Sequence, residues 1–303
     1  GVSSAASDVY KRQVILSAGS IGSPQILQLS GIGSGTFLNS KGIEVIHDLP
    51  GVGENLHDHL QIRSVYKVQN TITLNERANS PIGKALMGLE YMLFRTGPLT
   101  MPPSQLGAFA KSNSNQSTAN IEWHVQPLSL DKFGDSLHEF NAITPAVCNL
   151  RPTSRGHVRI KNPQSADYPA ITLNYLSTEE DRKVAVEGLK LTRQIMGAKA
   201  LEKFQPQEWK PGLGVITEED LYTAASDLGT TIFHPVGTCK MGNDDMAVVN
   251  DRLQVQGVER LRVIDASIMP RITSGNTNAP TVMLSLIHIS EPTRLGMISY
   301  AVF

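Results

Sequence analysis

The segment HPVGTCKMG places a histidine, His234, directly before a proline at residue 235. Proline pushes the backbone of the preceding residue toward the extended region, so the imidazole of His234 is held at a defined point of a tight loop. Histidine titrates near neutral pH and is the usual general base of enzymes. From the residues alone two interpretations stay open: a catalytic base, or a structural or solvent-exposed loop histidine.

A second polar cluster lies in SGNTNAPTVM, which contains Asn276, Asn278 and Pro280. An asparagine side chain donates and accepts hydrogen bonds without titrating, which suits the binding of an alcohol oxygen. Asparagine also favours turns, because it tolerates the left-handed region and bonds to its own backbone. An Asn-rich turn is therefore the alternative interpretation of this segment.

Three other patterns carry weaker signals. Residues 51–56, GVGENL, contain Gly-x-Gly without the third glycine of the dinucleotide-binding fingerprint. His57 and His59 flank Asp58 as metal ligands can, but no further ligand cluster stands out, so we predict polar loop residues and no metal site. No Gly-x-Ser-x-Gly elbow occurs, which argues against a serine hydrolase.

The elements that must position these residues begin with an apolar run at 14–18, VILSA, which is predicted as a buried strand. Ser23 is a candidate N-cap with Pro24 at the first helical position, and Gly31 can end that helix in the left-handed conformation. Residues 43–47, IEVIH, are typical of another strand. Strand, glycine turn, helix and strand in this order predict an α/β layer.

From about residue 61 the sequence changes to short β-type runs separated by turn-rich stretches, which predicts an antiparallel sheet. The runs are QIRSVYKV, IEWHVQ, AITPAVCNL and GHVRIK. Two helices are expected after them. Ser177 and Glu180 have the spacing of a capping box at the start of the first helix, and the second starts near Thr217.

The composition excludes several classes of protein. The 303-residue chain has 27 Lys+Arg and 28 Asp+Glu, and this near-neutral balance predicts neither a basic face for nucleic acid nor an acidic tail. Its longest apolar runs fall short of the roughly 20 residues that span a bilayer. The two cysteines, Cys148 and Cys239, do not make a disulfide framework. We therefore expect no nucleic-acid partner and no integral membrane segment.

Five ordered segments resemble blocks of the glucose–methanol–choline (GMC) oxidoreductases, which are FAD-dependent alcohol oxidases and dehydrogenases. Residues 18–33, AGSIGSPQILQLSGIG, are similar to the second signature of that family. Residues 49–59 look like the next block, in which Gln usually stands at the position of His57. The remaining matching segments, in family order, are residues 149–163, 234–242 and 262–283. The resemblance covers residues 14–283 and is closest to the choline-dehydrogenase-like branch.

The resemblance implies a fold class of α/β plus α+β. The chain would hold the C-terminal part of a GMC FAD-binding α/β domain, with an antiparallel-sheet substrate domain inserted in it. The FAD-binding part would comprise residues 14–60 and 211–283, the latter with the active-site residues. The substrate domain would comprise residues 61–210, which would roof the flavin and set the choice of alcohol.

The same resemblance implies the chemistry. His234 would be the general base, and Asn278, 44 residues further on, its partner at the alcohol oxygen, while hydride passes to flavin N5. The implied cofactor-binding residues are Ala18, Gly19, Asp265, Ala266, Asn276 and Pro280. The implied partners are FAD, a small-molecule alcohol, and an electron acceptor that is oxygen, a quinone or another carrier. Neither the particular alcohol nor the acceptor follows from the resemblance.

Both ends of the chain depart from the family pattern. Back-translated, they read as the adaptors of tagmentation sequencing libraries, so residues 1–13 and 284–303 are expected to be adaptor-derived. The alternative is that LSLIHIS, from residue 284, belongs to a real terminal helix or strand. The family's N-terminal Gly-x-Gly-x-x-Gly unit, which holds the ADP half of FAD, is missing. The alternative to an alcohol oxidoreductase is therefore a catalytically inert fragment, and this chain alone is expected to fold poorly and not to retain FAD.

Overall fold

The computed structural model describes residues 13–102 and 104–290, with side chains as far as Leu284. Residues 1–12 and 291–303, which make up most of the segments expected to be adaptor-derived, lie outside the described residues. The described chain divides into two compact units. The first unit comprises the residues up to His59, Arg151–Ser177 and the residues from Phe233 onward, and the second unit comprises Leu60–Leu150 and Thr178–Ile232.

The described strands, in chain order, are β1 (Val14–Leu16), β2 (Ile32–Gly33), β3 (His47–Asp48), β4 (Leu60–Arg63), β5 (Val65–Lys67), β6 (Leu106–Ala110), β7 (Ile121–Gln126), β8 (Ala142–Asn149), β9 (His157–Arg159), β10 (Ala170–Thr172), β11 (Gln207–Lys210), β12 (Gly229–Thr231) and β13 (Leu261–Val263). The described α-helices are α1 (Gly19–Leu29), α2 (Gly35–Ser40), α3 (Leu74–Asn79), α4 (Pro81–Phe94), α5 (Glu179–Met196), α6 (Glu218–Leu228) and α7 (Asn278–Ser290). Short 3₁₀ turns lie at Pro98–Thr100, Lys199–Phe204 and Ala266–Ile268.

The first unit combines parallel strand pairs with helices, as the strand–turn–helix pattern predicts. Strands β1 and β13 pair in parallel, with Val14 opposite Leu261, and β2 pairs in parallel with β3. Strands β9 and β10 form a separate antiparallel pair. The core of this unit contains side chains from α1, β13 and the loop after His234, among them Leu27, Val236 and Val263.

Helix α1 begins earlier than predicted. It starts at Gly19, with Ala18 at the N-cap, so Pro24 lies inside the helix and Ser23 is not the cap. A proline lacks the N–H that would bond to the carbonyl four residues back, here that of Ser20. The Thr238 hydroxyl donates to that carbonyl instead, at 2.7 Å, and makes the interior proline tolerable. The predicted end is confirmed, because Gly31 follows the helix with φ of +77°.

Strand β1 is present but is not buried. Val14 is 59% exposed and Ile15 is 44% exposed. Among residues 13–102 and 104–290, β1 pairs only with β13, so no described strand pairs with its other edge. The strand predicted at 43–47 is likewise shorter than expected, since only His47 and the residue after it pair with β2.

The second unit is built on the predicted antiparallel sheet. Its strand order is β11-β5-β8-β4-β12, and β7 also pairs with β8 and carries β6 on its other side. Each of these pairings is antiparallel. The run GHVRIK does not join this sheet, because β9 pairs with β10 in the first unit.

Helix α5 covers one face of this sheet. The indole Nε1 of Trp123 on β7 donates to the hydroxyl of Thr192 on α5 at 2.9 Å. The cap of α5 is one residue later than predicted, because the side chain of Thr178, rather than Ser177, accepts from the N–H of Asp181. The predicted start of α6 is confirmed, because Thr217 forms a capping box there.

The boundaries of the two units differ from the predicted domain limits in two places. Residues 151–177 were predicted in the substrate domain, but they belong to the first unit, where β9 and β10 pair with each other. Residues 211–232 were predicted in the FAD-binding part, but they belong to the second unit. The cause is that β12 pairs with β4 and α6 packs against α5.

At the C-terminal side, α7 begins at Asn278 and runs through residue 284, where the adaptor-derived segment was expected to start. The described part of LSLIHIS is therefore helical, and the strand alternative is wrong. Within the part of the chain that the structure describes, none of the helices combines the length and the apolar character needed to cross a bilayer.

Candidate active site

The loop that carries His234 is held by an antiparallel bridge to the His57 segment. The N–H of Val236 donates to the carbonyl of His57 at 2.9 Å, and the N–H of His57 donates to the carbonyl of Val236 at 3.2 Å. The next residue must be glycine. Gly237 has φ of +95°, and a Cβ there would lie 2.6 Å from the carbonyl oxygen of Asn55 and 2.7 Å from Cε1 of His57.

His234 is bound on two sides by the residues that follow His57. Its backbone N–H donates to Oδ1 of Asp58 at 2.9 Å. Its ring Nδ1 lies 3.1 Å from Nδ1 of His59, with the two rings nearly perpendicular. Asp58 and His59 are fully buried, whereas His234 is partly exposed. Two buried side chains therefore orient an imidazole that still reaches the surface.

A second bond fixes Asp58 itself. The hydroxyl of Tyr175 donates to Oδ2 of Asp58 at 2.5 Å. The carboxylate thus accepts from a phenol on one oxygen and from the His234 backbone on the other. Carboxylates that accept several hydrogen bonds in a buried place are rigid, since each lost bond leaves a buried donor unsatisfied.

His57 has a structural role in this cluster. Its Nδ1 lies 2.6 Å from the carbonyl oxygen of Asn55, so Nδ1 carries the hydrogen, and Nε2 accepts from the N–H of Ile272 at 3.0 Å. Burial, aided by the positive charge of Arg155, lowers the pKa of His57 to about 4. The imidazole is therefore neutral at pH 7, with both nitrogens occupied by the backbone.

His57 and His59 lie in a loop, as predicted, but together with Asp58 they make long-range contacts that the prediction did not include. All three are buried, with 1%, 2% and 0% of their surfaces exposed. Their partners, at Val236, Ile272 and Tyr175, are more than a hundred residues away in the sequence. No local pattern reports such contacts. The signal in the sequence is the family block at residues 49–59, which contains all three residues.

The two turns predicted to bind cofactor are joined through Asp265. Its Oδ2 accepts from the N–H of Gly19 at 3.0 Å and from the hydroxyl of Ser23 at 2.5 Å, and its Oδ1 accepts from the N–H of Ser267 at 2.8 Å. Asp265 is 5% exposed. The observed bonds of this carboxylate therefore fasten the start of α1 to the turn after β13.

The His234 loop is attached to the same two turns. The Ser20 hydroxyl donates to the carbonyl of Pro235 at 2.6 Å, and the N–H of Gly237 donates to the carbonyl of Ala266 at 3.4 Å. The structure thus brings Gly19, Asp265, Ala266 and the His234 loop into one cluster within the first unit.

Asn276, Asn278 and Pro280 lie at the start of α7. Asn276 and Asn278 are exposed, and Pro280 is partly exposed. The segment before them is anchored, since Ile272 donates to the ring of His57. The pairing of Asn278 with His234 at one substrate oxygen stays a prediction.

A cavity in the first unit lies away from these predicted residues. It has a volume of about 420 Å³ and is lined by Gln28, Ser34, Thr36, Phe37, Ser40, Pro50, Val52, Glu54, Arg159 and Met246. None of the residues predicted to be catalytic or to bind cofactor lines it. The candidate site therefore rests on the side-chain cluster and not on this cavity.

Comparison with known families places the chain in one family. Residues 3–61 match one model of the GMC oxidoreductases, and residues 152–285 match a second model of the same family. The chain therefore belongs to the GMC oxidoreductase family. The first match begins within residues 1–13, the segment expected to be adaptor-derived.

Curated relatives agree with the choline-dehydrogenase-like branch. The chain is 41% identical over 288 residues to an oxygen-dependent choline dehydrogenase of Cronobacter sakazakii, covering 94% of this chain and 51% of that protein. It is 40% identical over 274 residues to an alcohol dehydrogenase [acceptor] of Pseudomonas putida, covering 90% and 50%. The chain thus spans about half the length of the curated relatives it matches.

Solved structures are similar in fold. Pyridoxine 4-oxidase from Mesorbium loti has a TM-score of 0.77 at 27% identity, over 90% of this chain and 50% of that one. A formate oxidase of Aspergillus oryzae, solved in a study of its FAD modification, has a TM-score of 0.84 at 23% identity. It covers 93% of this chain and 55% of the formate oxidase. At that identity the likeness concerns the fold alone.

FAD is the cofactor of this family, and the residues present fit part of a flavin-binding surface. A Cβ added at Gly19 would meet no atom within 4 Å, and Ala18 is exposed, so there is room for a ligand beside this turn, whose two N–H groups bond to Asp265 and Ser23. The exposed Asn276 also suits a polar contact. The buried Asp265 holds this turn in place from within.

Proposed function

We propose that the cluster around His234 is the proton-accepting part of a FAD-dependent oxidoreductase that converts an alcohol to an aldehyde or ketone. The first unit would belong to the FAD-binding domain, and the antiparallel sheet of the second unit to the substrate domain. The observation that carries the proposal is the 3.1 Å contact between Nδ1 of His59 and Nδ1 of His234. FAD supplies the hydride acceptor when it is bound.

The contact supports separate roles for the two ring nitrogens of His234. A neutral imidazole carries one hydrogen, so Nε2 can accept the hydroxyl proton of a substrate only if Nδ1 carries that hydrogen. Nδ1 then donates to Nδ1 of His59, and this bond persists after Nε2 has taken the proton. Asp58 holds the backbone of the same residue, so the position of the base does not change during the transfer.

Asn278 would bind the same alcohol oxygen. Its side-chain amide can donate a hydrogen bond at every stage of the reaction, because it does not titrate. It is also the first residue of α7, and the N-terminus of a helix favours negative charge. An oxygen that gains negative charge as it loses its proton is stabilised in such a position.

Replacement of His234 by alanine tests the base. In the protein extended to the length of its curated relatives and loaded with FAD, kcat for an alcohol should fall at least about 100-fold, the lower end of what general bases contribute. Flavin absorbance should be retained. His157→Ala, which removes a partly exposed histidine of β9 in the same unit, is the matched control and should keep its kcat. Equal activity of His234→Ala and the parent protein would refute the assignment.

Two variants, one apolar and one polar, test the role of His59. His59→Leu removes the acceptor of the Nδ1 hydrogen, so kcat should fall and its pH profile should change. His59→Gln retains a polar side chain that can accept a hydrogen bond and should recover part of the activity. A merely structural role would leave the pH profile of both variants unchanged.

The second candidate is a catalytically inert chain. The observations that favour it are the exposure of Val14 and Ile15 on β1 and the match to only half of each relative. The 303-residue chain, mixed with FAD and passed over a desalting column, should then elute without flavin absorbance. Elution of a monodisperse, yellow protein would exclude this candidate.

A further inference from the structure

Strand β7 places two side chains with metal-binding groups on one face of the antiparallel sheet. Successive residues of a strand point to opposite faces, so Glu122 and His124 share a face. Trp123, between them, faces α5 and bonds to Thr192. In the β7–β8 ladder Glu122 lies opposite Cys148, which brings a thiol beside the carboxylate and the imidazole. Their ligand atoms all lie within 4.8 Å of one another.

All three groups are buried, and one atom of the carboxylate and one of the imidazole lack the bonds that burial demands. Glu122 is 4% exposed, His124 is 9% exposed and Cys148 is 1% exposed. Within the described part of the chain, Oε2 of Glu122 and Nε2 of His124 have no hydrogen-bond partner. Buried polar atoms in native proteins are nearly always paired, because an unpaired one loses its hydration without compensation. A ligand at this position would supply what both atoms lack.

The spacing of the groups suits a small metal ion. Nε2 of His124 lies 3.4 Å from Oε1 of Glu122, yet the two atoms do not form a hydrogen bond. Zinc binds nitrogen and oxygen at about 2.0–2.1 Å in a tetrahedron, which sets two ligand atoms about 3.3–3.4 Å apart. The observed separation is therefore that of two neighbouring ligands on one ion.

The ligand types select the class of metal. A thiolate, an imidazole and a carboxylate suit zinc and its transition-metal neighbours, whereas magnesium and calcium prefer oxygen ligands. Three protein groups leave a fourth position open for water. Arg63 lies across Ala146 from His124 in the ladder, and its guanidinium donates to Gln126, so one fixed positive charge on this face opposes a cation.

We propose that Glu122, His124 and Cys148 form a binding site for a divalent transition-metal ion, with zinc as the preferred occupant. The site is contained in the second unit and joins β7 to β8. It requires none of the residues that bind alcohol or FAD in the proposed function, and it stands or falls independently of that function.

The test is a titration of the folded protein with zinc and, separately, with cobalt(II). We expect one zinc bound per chain, and a cobalt complex with the charge-transfer absorption of a cobalt–thiolate bond. That absorption reports a cysteine ligand without any substitution, and the variants below identify which cysteine it is. Folding is verified by a cooperative melt followed by circular dichroism. Absence of binding to a protein that melts cooperatively would overturn the proposal.

Variants identify the ligands. Cys148→Ser and His124→Phe should each weaken zinc binding more than about tenfold, which is the least that even the loss of a supporting group around a metal costs. The matched controls are Cys239→Ser, the other buried thiol, and His138→Gln, from a histidine–carboxylate pair with Asp131 in the same unit. Both controls should bind zinc as the parent does. Zinc binding that survives Cys148→Ser unchanged, or that is lost in a control, would refute the assignment.

Discussion

The His57–His59 segment and the Glu122–His124 segment have the same pattern, with two acid or base side chains two residues apart in extended chain. Both segments are buried. In the first, the side chains bond to the backbone at Asn55 and Ile272, to Tyr175 and to His234. In the second, a carboxylate oxygen and a ring nitrogen have no partner among the described residues.

The difference separates two uses of buried polar groups. A bonded network holds its members in one arrangement, which is what the orientation of a base requires. In the second use, acid and base groups share a face at the spacing of metal ligands, and some of their atoms lack hydrogen-bond partners. Such an arrangement suits a bound ligand that supplies the missing partners. Sequence spacing alone does not distinguish the two uses, because the distinction lies in contacts made across the fold.

The largest expected loss of stability follows from the substitution of Asp58. In Asp58→Ala, the hydroxyl of Tyr175 and the N–H of His234 both lose their acceptor. An unsatisfied buried donor costs about 1–3 kcal/mol, so the free energy of unfolding should fall by roughly 4 kcal/mol. Urea denaturation measures the change.

Tyr175→Phe serves as the control for this effect. It removes one donor and leaves Asp58 bonded to His234, so the expected loss is about 1 kcal/mol. The double variant should lose less than the sum of the single losses, because the two residues share a bond. Strict additivity would mean that the network described around Asp58 does not act as a unit.

The second effect is a dependence of stability on pH that comes from His57. Its pKa in the folded state is lowered to about 4 from the ordinary value of 6.5. The unfolded chain therefore binds a proton in a pH range where the folded chain does not. The contribution of neutral His57 to the free energy of unfolding is fully present above pH 6.5 and is lost as the pH falls from 6.5 to about 4. At about 1.36 kcal/mol per pKa unit, the total is about 3 kcal/mol.

Denaturation in urea at a series of pH values measures this contribution. His57→Gln has no titrating group at the position, so its stability, although lower, should depend less steeply on pH between about 4 and 6.5. The parent and the variant should converge toward the acidic end of the series. An equally steep dependence in His57→Gln would assign the effect to other groups.

Much of the local structure follows from the sequence, because it depends on residues close together. Thr217 and the acids after it predict the start of α6, and the β-type runs predict β7 and β8. The family blocks predict which loop carries His234. The antiparallel sheet is present, although the order of its strands is not encoded in any single run.

The remaining features depend on distant partners. The start of α1 at Gly19 needs the Thr238 hydroxyl to replace the missing N–H of Pro24, and Thr238 is more than two hundred residues away. Helix α4 was not predicted, and in it only Met87 is buried, so no broad apolar face marks it as a core helix. The pairing of Cys148 with Glu122 required the register of two strands.

The smallest expected change in the free energy of unfolding comes from the Glu122–His124 segment. In metal-free protein, Glu122→Leu removes a buried carboxylate of which one oxygen has no partner and fills a similar volume with an apolar side chain. Replacement of an unsatisfied buried polar group by an apolar one is close to neutral or stabilising, so the free energy of unfolding should change by less than about 1 kcal/mol or increase.

Glu122→Gln is the matched control, since it keeps the shape and leaves polar atoms in the same place, and it should be no more stable than the leucine variant. The comparison with Asp58→Ala is then direct, because each substitution removes one buried carboxylate. A loss above about 2 kcal/mol in Glu122→Leu would show that Glu122 is bonded in the folded protein. The contrast between the two segments, and with it the argument for an added ion, would then be wrong.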